Sequence, residues 1–123
     1  MNYSELTQRY FETAPGAGTL GPGAARGAAG SRAQGTWVQF ELQIAAPGGR
    51  IAAARFLAFG CPHTIAVAAW VAEAAVGRLP QPALPEGVQA LRRRFDLPVE
   101  KLGRLLVVED AWLAAMADAG VKS

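Results

Sequence analysis

The chain has 123 residues, of which 26 are Ala and 14 are Gly, so a third of its positions carry almost no side chain. The larger apolar residues suffice for one modest core, which excludes two independent cores and leaves residues 1–123 as a single expected domain. Ten Arg and two Lys against ten acids leave a net charge of only +2, too small an excess to imply a nucleic-acid partner.

Residues 2–12 are predicted to be helical, with Asn2 as the cap, Glu5 three positions on, and Tyr3, Leu6 and Tyr10 on one face. Charges at Glu5, Arg9 and Glu12 leave no apolar stretch for a signal peptide. Residues 14–35 hold seven Gly and two Pro and read as a mobile, linker-like segment. Any strand within it must draw its order from pairing with a neighbour, because its side chains offer little to bury.

The period then changes to two. Thr36, Val38, Phe40, Leu42 and Ile44 face one way, and Trp37, Gln39, Glu41 and Gln43 the other, which predicts a half-buried strand over 36–45. Pro47-Gly48-Gly49 supplies a turn, and residues 50–59 return as the second strand of a hairpin. Gly60 ends that strand. Pro62 suits the first turn of a helix that runs on through Thr64 to Val76 and stops at Gly77.

Pro80, Pro82 and Pro85 break the chain before an amphipathic helix marked by Val88, Leu91 and Phe95. Its Arg92, Arg93 and Arg94 suit the negative end of the helix dipole and read as a solvated helix end. The last helix is predicted from about Pro98, with Leu102, Leu105, Leu106, Leu113 and Met116 as its stripe until Gly120. The single switch from period two to helical period predicts an α+β domain, a small antiparallel sheet with helices packed on one face.

The longest uncharged run, Phe56 to Ala72, contains Pro62 and His63 and is too short and too rich in Ala to span a bilayer, so no membrane association is expected. Cys61 has no partner for an intramolecular disulfide, which fits a reducing compartment and a cytoplasmic location. The glycines of residues 16–35 neither follow a clear strand nor open onto a helix, so they form no phosphate-binding fingerprint. One Cys and one His supply no zinc pair.

The only concentrated chemistry is Gly60-Cys61-Pro62-His63. A thiol just before a helix meets unpaired N–H groups and the positive dipole end, both of which favour the thiolate. The alternative is a small cysteine buried for packing beside a structural histidine. A chelating pair is disfavoured, since positions two apart on a helix point about 200° apart.

The order of short blocks along the chain resembles the iron-sulfur cluster assembly scaffolds of the IscU type, the NifU N-terminal domain family. Tyr10 with Pro15, Gly18 and Leu20 opens the match, followed by Gly30 and Gly35. Ile51, Ala54-Arg55-Phe56, Phe59-Gly60-Cys61 and Ile65-Ala66 form the central block. Gly77-Arg78-Leu79, Leu97-Pro98 with Lys101, and Glu109-Asp110-Ala111 with Asp118 complete it.

That resemblance implies an α+β fold and a [2Fe-2S] cluster assembled on three cysteines with an Asp or a His, the sulfur coming from a cysteine desulfurase. On this pattern Gln34 stands at the first cysteine, Thr36 at the aspartate, Cys61 at the second cysteine, Gly103 at the histidine and Arg104 at the third cysteine. It implies a non-enzymatic, degenerate scaffold or transfer accessory, acting through Cys61 as sulfur acceptor or metal ligand, with His63 and Arg104 assisting. Any labile cluster or iron would be shared between chains, with none expected in the isolated monomer. Leu97, Pro98 and Lys101 fall in the segment that resembles a partner-binding loop. The alternative is a cluster-free interaction or regulatory module that binds the assembly machinery.

Overall fold

The computed structural model describes residues 3–46 and 48–121. Helix α1 spans Glu5–Thr13 and is capped by Ser4, whose Oγ accepts from the Thr7 N–H at 3.1 Å. That bond gives one of the unpaired first-turn donors a partner. The helix therefore starts three residues later than its apolar spacing suggests, and Asn2, the expected cap, lies outside the described residues. Tyr10 leaves α1 to donate its hydroxyl to the Glu73 carboxylate.

Three strands follow: β1 (Ala25–Ser31), β2 (Thr36–Ile44) and β3 (Ile51–Phe59), antiparallel in the order β1-β2-β3. The expected hairpin is present, with Gln39 opposite Leu57 and a register shift at Gln43/Ile44 next to the turn. Pro47 of that turn lies outside the described residues. The glycine-rich segment contributes backbone rather than side chains: β1 pairs along its length with β2. Upstream of it, Gly16 and Gly18 bond the two backbone groups of Phe56, each at 2.9 Å.

Helix α2 (Pro62–Ala75) packs on β3, and α4 (Leu102–Asp118) on β1 and β2. Both cover the face that carries Val38, Phe40, Leu42, Ala54 and Phe56, all 3 % exposed or less. Trp112 of α4 meets the Phe40 ring edge-on, with centroids 5.0 Å apart, and its Nε1 donates to the Ala83 carbonyl at 3.0 Å. Burying each such side chain contributes about 1.5–3 kcal/mol. Backbone contact between α4 and β1 is close at Gly27, where a Cβ would lie 2.0 Å from the Ala115 nitrogen.

Helix α3 (Val88–Arg94) packs on α4, and α1 is pinned to its C-terminal end: the hydroxyls of Ser4 and Thr7 both donate to the Phe95 carbonyl, at 3.0 and 3.3 Å. The last helix departs from expectation. Pro98 holds ψ at 152° and heads a 3-10 turn over Val99–Lys101, in which the Lys101 N–H returns to the Pro98 carbonyl at 2.9 Å, so α4 begins only at Leu102. Such turns are frequent at helix N-termini, where they give an otherwise unpaired N–H a partner.

Glu41 is the second departure. Alternation places it on the polar side of β2, yet it is only 1 % exposed. Leu20 and Gly21 donate their N–H groups to its Oε1 at 2.7 and 3.2 Å, and Arg26 Nε and Gln39 Nε2 approach Oε2 at 3.1 and 3.3 Å. The carboxylate thus fastens the glycine-rich segment over the outer face of the sheet. Among the described residues no helix is long and apolar enough to cross a membrane.

Candidate functional site

Cys61 sits at the corner between β3 and α2, as the N-cap residue of the helix, with extended backbone angles and partial exposure. Pro62 at the first helical position removes one N–H that would otherwise be unpaired and sets the entry angle. Burial alone pushes the Cys61 thiol up, but the Thr64 N–H, the Thr64 hydroxyl, the His63 N–H and the Arg104 charge outweigh it and hold the thiol below the ordinary cysteine value. The Sγ lies 3.8 Å from Thr64 Oγ1 and 4.0 Å from His63 Nδ1.

His63 is 3 % exposed and lies edge-on to the Tyr3 ring, with centroids 4.7 Å apart. Burial, then the charges of Lys101 and Arg104, lower its pKa below the usual histidine value, so at pH 7 it is the neutral imidazole. Arg104 stands in the first turn of α4, and its Nε atom is buried without a hydrogen-bond partner among the described residues. Its charge lowers the pKa of both Cys61 and His63.

The other positions singled out in the sequence fall at the same end of the sheet. Trp37 pairs with Phe59, so Thr36 lies one step from Gly60 across the strands, 7 % exposed. Gln34 is exposed in the turn between β1 and β2. Gly103 is exposed at the start of α4 and has open space where a side chain would project. Leu97 packs into the core at 3 % exposure, while Pro98, Val99 and Glu100 are exposed and Lys101 is half-buried.

Sequence reasoning missed Thr64, whose hydroxyl lies 3.8 Å from the sulfur and helps lower the thiol pKa. Its place, three after the N-cap, is where a capping box carries Glu or Gln, so the sequence offered no capping signal for it. It also missed Lys101 as a charge beside His63. Among the described residues no group of three His, Cys, Asp or Glu gathers to hold a metal ion. A single thiol is not a donor set for zinc or for a cluster that normally takes four thiolates.

A three-stranded antiparallel sheet with helices on one face, and a cysteine where its last strand turns into a helix, defines an α+β fold. The chain belongs to the NifU-like N-terminal domain family, which matches residues 2–122. It shares its fold with the crystal structure of a protein assigned as an iron-sulfur cluster assembly scaffold for the SUF system, from the thermophile Fervidobacterium islandicum AW-1. The TM-score is 0.74 at 14% identity, over 93% of this chain and 96% of the other. No curated protein sequence matches the chain.

Proposed function

We propose that this protein serves iron-sulfur cluster assembly as an accessory that carries sulfur on Cys61, without itself completing a cluster on one chain. The observation that supports the reading is the partly exposed Cys61 thiol, held below its ordinary pKa at the start of α2 in a family of assembly proteins. A lowered pKa supplies the thiolate, which is the nucleophilic form. The donor is a persulfide on a cysteine desulfurase or another assembly protein, and the role involves no catalytic turnover.

The thiolate attacks the outer sulfur of the donor persulfide R–S–SH. The donor S–S bond breaks as the Cys61 S–S bond forms, and the donor leaves as the thiol R–SH with its own proton. Sulfur moves at constant redox balance, so no oxidant or reductant is consumed. A reducing cytoplasm keeps the acceptor thiol free. The exposed residues Pro98 to Glu100, with Lys101, form the partner-facing part of the Leu97 to Lys101 segment, while Leu97 anchors it in the core.

The test is incubation of the full chain with a cysteine desulfurase and cysteine, followed by intact-mass and peptide mass spectrometry. A gain of one sulfur on Cys61, absent in Cys61→Ser, is the expected result. No gain in the wild type discards the sulfur-carrying role. A second reading, a cluster-free interaction module, is favoured by Phe59, Val99 and Leu106, which are 42 %, 69 % and 46 % exposed. Under that reading Cys61→Ser retains the effect on the assembly machinery in full.

A further inference from the structure

The two faces of the sheet are covered unequally. Helices α2 and α4 close the face of Val38, Phe40 and Phe56. On the outer face the Glu41 carboxylate holds the backbone of Leu20 and Gly21 over one end, while the end toward the β1–β2 turn stays open. There Trp37 stands opposite Phe59, and Gln39 opposite Leu57. Phe59 and Leu57 are 42 % and 37 % exposed and Trp37 is half-buried. Strand alternation puts all three on the face away from Val38 and Phe56, as one contiguous apolar patch.

Charge of one sign frames the patch. The Arg32 guanidinium lies over the Phe59 ring, 5.3 Å from its centroid. Arg55, two residues before Leu57 on the same face, donates one N–H to the Ala54 carbonyl at 3.0 Å. Neither Arg32 nor Arg55 forms an ion pair among the described residues. The carboxylates toward the covered end are already engaged: Glu41 accepts from Leu20, Gly21 and Arg26, and Asp118 accepts from the Arg26 N–H. The open half of the face therefore offers apolar surface and positive charge together.

We infer that this open half is a docking surface for an acidic amphipathic helix of a partner protein, its apolar stripe on Trp37, Leu57 and Phe59 and its carboxylates on Arg32 and Arg55. Leu57 and Phe59 stand about 7 Å apart along the strand, close to the spacing of about 5–6 Å between successive turns on one side of a helix. Helices on the sheet are also what cover the opposite face. Addition of a strand is disfavoured, because Gly16 and Gly18 already hold the Phe56 backbone at the free edge of β3. A second copy of the chain is disfavoured by the like charge of two such faces. The inference gives the interaction reading a surface and a partner chemistry, and it does not need Cys61 to carry sulfur.

The probe is a synthetic helix with Leu at positions i, i+4 and i+7 flanked by Glu, and its control is the same peptide with Lys for Glu. Each is titrated into the full chain and followed by amide and indole NMR shifts. The Glu peptide is expected to saturate shifts at the Trp37 indole and at the Leu57 and Phe59 amides, and the Lys peptide to leave them in place. In the double variant Arg32→Glu, Arg55→Glu, the Glu peptide weakens by at least about tenfold and the Lys peptide gains. Should that variant fail to fold, Phe59→Ser must weaken the Glu peptide by at least about fivefold. Equal binding of the two peptides, shifts confined to another face, or no shift with either overturns the inference. So does self-association of the free chain through Trp37, or Phe59-dependent binding to phosphatidylserine vesicles in place of the Glu peptide. Cys61→Ser should leave the shifts unchanged, so failed sulfur loading in the wild type sinks the carrying role and leaves this surface standing.

Discussion

Glu41 Oε1 accepts a hydrogen bond from the Leu20 N–H at 2.7 Å, tying the middle strand to a segment with almost no side chains of its own. Burial acts to raise the Glu41 pKa, but the Leu20 N–H, the Arg26 charge and the Gly21 N–H win and hold it below the ordinary carboxylate value. A depressed folded value means that this contribution to stability is complete above the ordinary carboxylate range. It is lost as pH falls through the folded value. Acid unfolding of the wild type should therefore be steeper with pH than that of Glu41→Gln, measured by denaturant melts across the acid range. Glu41→Ala should cost about 2–4 kcal/mol at pH 7, since it leaves two backbone donors and Arg26 without their acceptor.

Gly27 admits no side chain. A Cβ there would lie 2.0 Å from the Ala115 nitrogen and 2.4 Å from the Ala114 carbonyl carbon, and both neighbours are backbone that cannot rotate away. Gly27→Ala should destabilise by about 3 kcal/mol, the upper end of the usual range for overpacking, by lifting α4 from β1. Thermal melts decide this, with Gly35→Ala as a control for left-handed strain alone, because its surroundings are open.

Trp112 fills the core against Phe40 and holds the Ala83 carbonyl through Nε1. Trp112→Phe should lose about 1–3 kcal/mol, from the missing ring volume and the orphaned carbonyl together. Hydrogen exchange should show the loss concentrated in residues 80–87, the stretch that Ala83 anchors.

Much of this architecture was legible in the sequence because the burial period is uninterrupted where the fold is simplest. The alternation from Thr36 to Leu42 maps onto a buried face, but of the stripe expected on the last helix only Leu105 and Met116 are buried: Leu106 is 46 % exposed, because the face that meets the sheet is built by Val108, Ala111, Trp112 and Ala115 instead. Glu41 was not legible as buried, since its cover comes from Leu20 and Gly21, whose backbone groups carry no side-chain pattern. The Pro98 turn was missed for a related reason: helical spacing continues through Leu102 and Leu105 whether or not the first turn is 3-10. At the site, Cys61 and its corner were readable from Gly60 and Pro62. Thr64 was not, because its function is to donate to a neighbour rather than to define a period.

The thiol itself gives a further test. Thr64 contributes a hydroxyl 3.8 Å from the sulfur. In Thr64→Val the thiol should move back up, so alkylation by iodoacetamide should slow roughly threefold at neutral pH, the worth of one modest hydrogen bond. At strongly alkaline pH the two proteins should react at equal rates, since both are then fully thiolate. A variant as fast as wild type at neutral pH would show that the backbone donors alone set the thiol.

The outer edge of β3 is tied to main chain at two points, Ile51 and Phe56. Gly16 and Gly18 take the exchange-ready groups of Phe56, and Gly77 and Arg78 take those of Ile51, at 2.8 and 2.9 Å. An edge interrupted at two points in this way is a poor template for a strand from another molecule. The low-information glycine segment thereby acts as a guard against misassembly: its value lies in a shape that lets backbone lie flat against an Ala-rich strand. Shortening residues 14–24 would open that edge and should turn a protein that refolds cleanly into one that forms β-rich aggregates on dilution from denaturant.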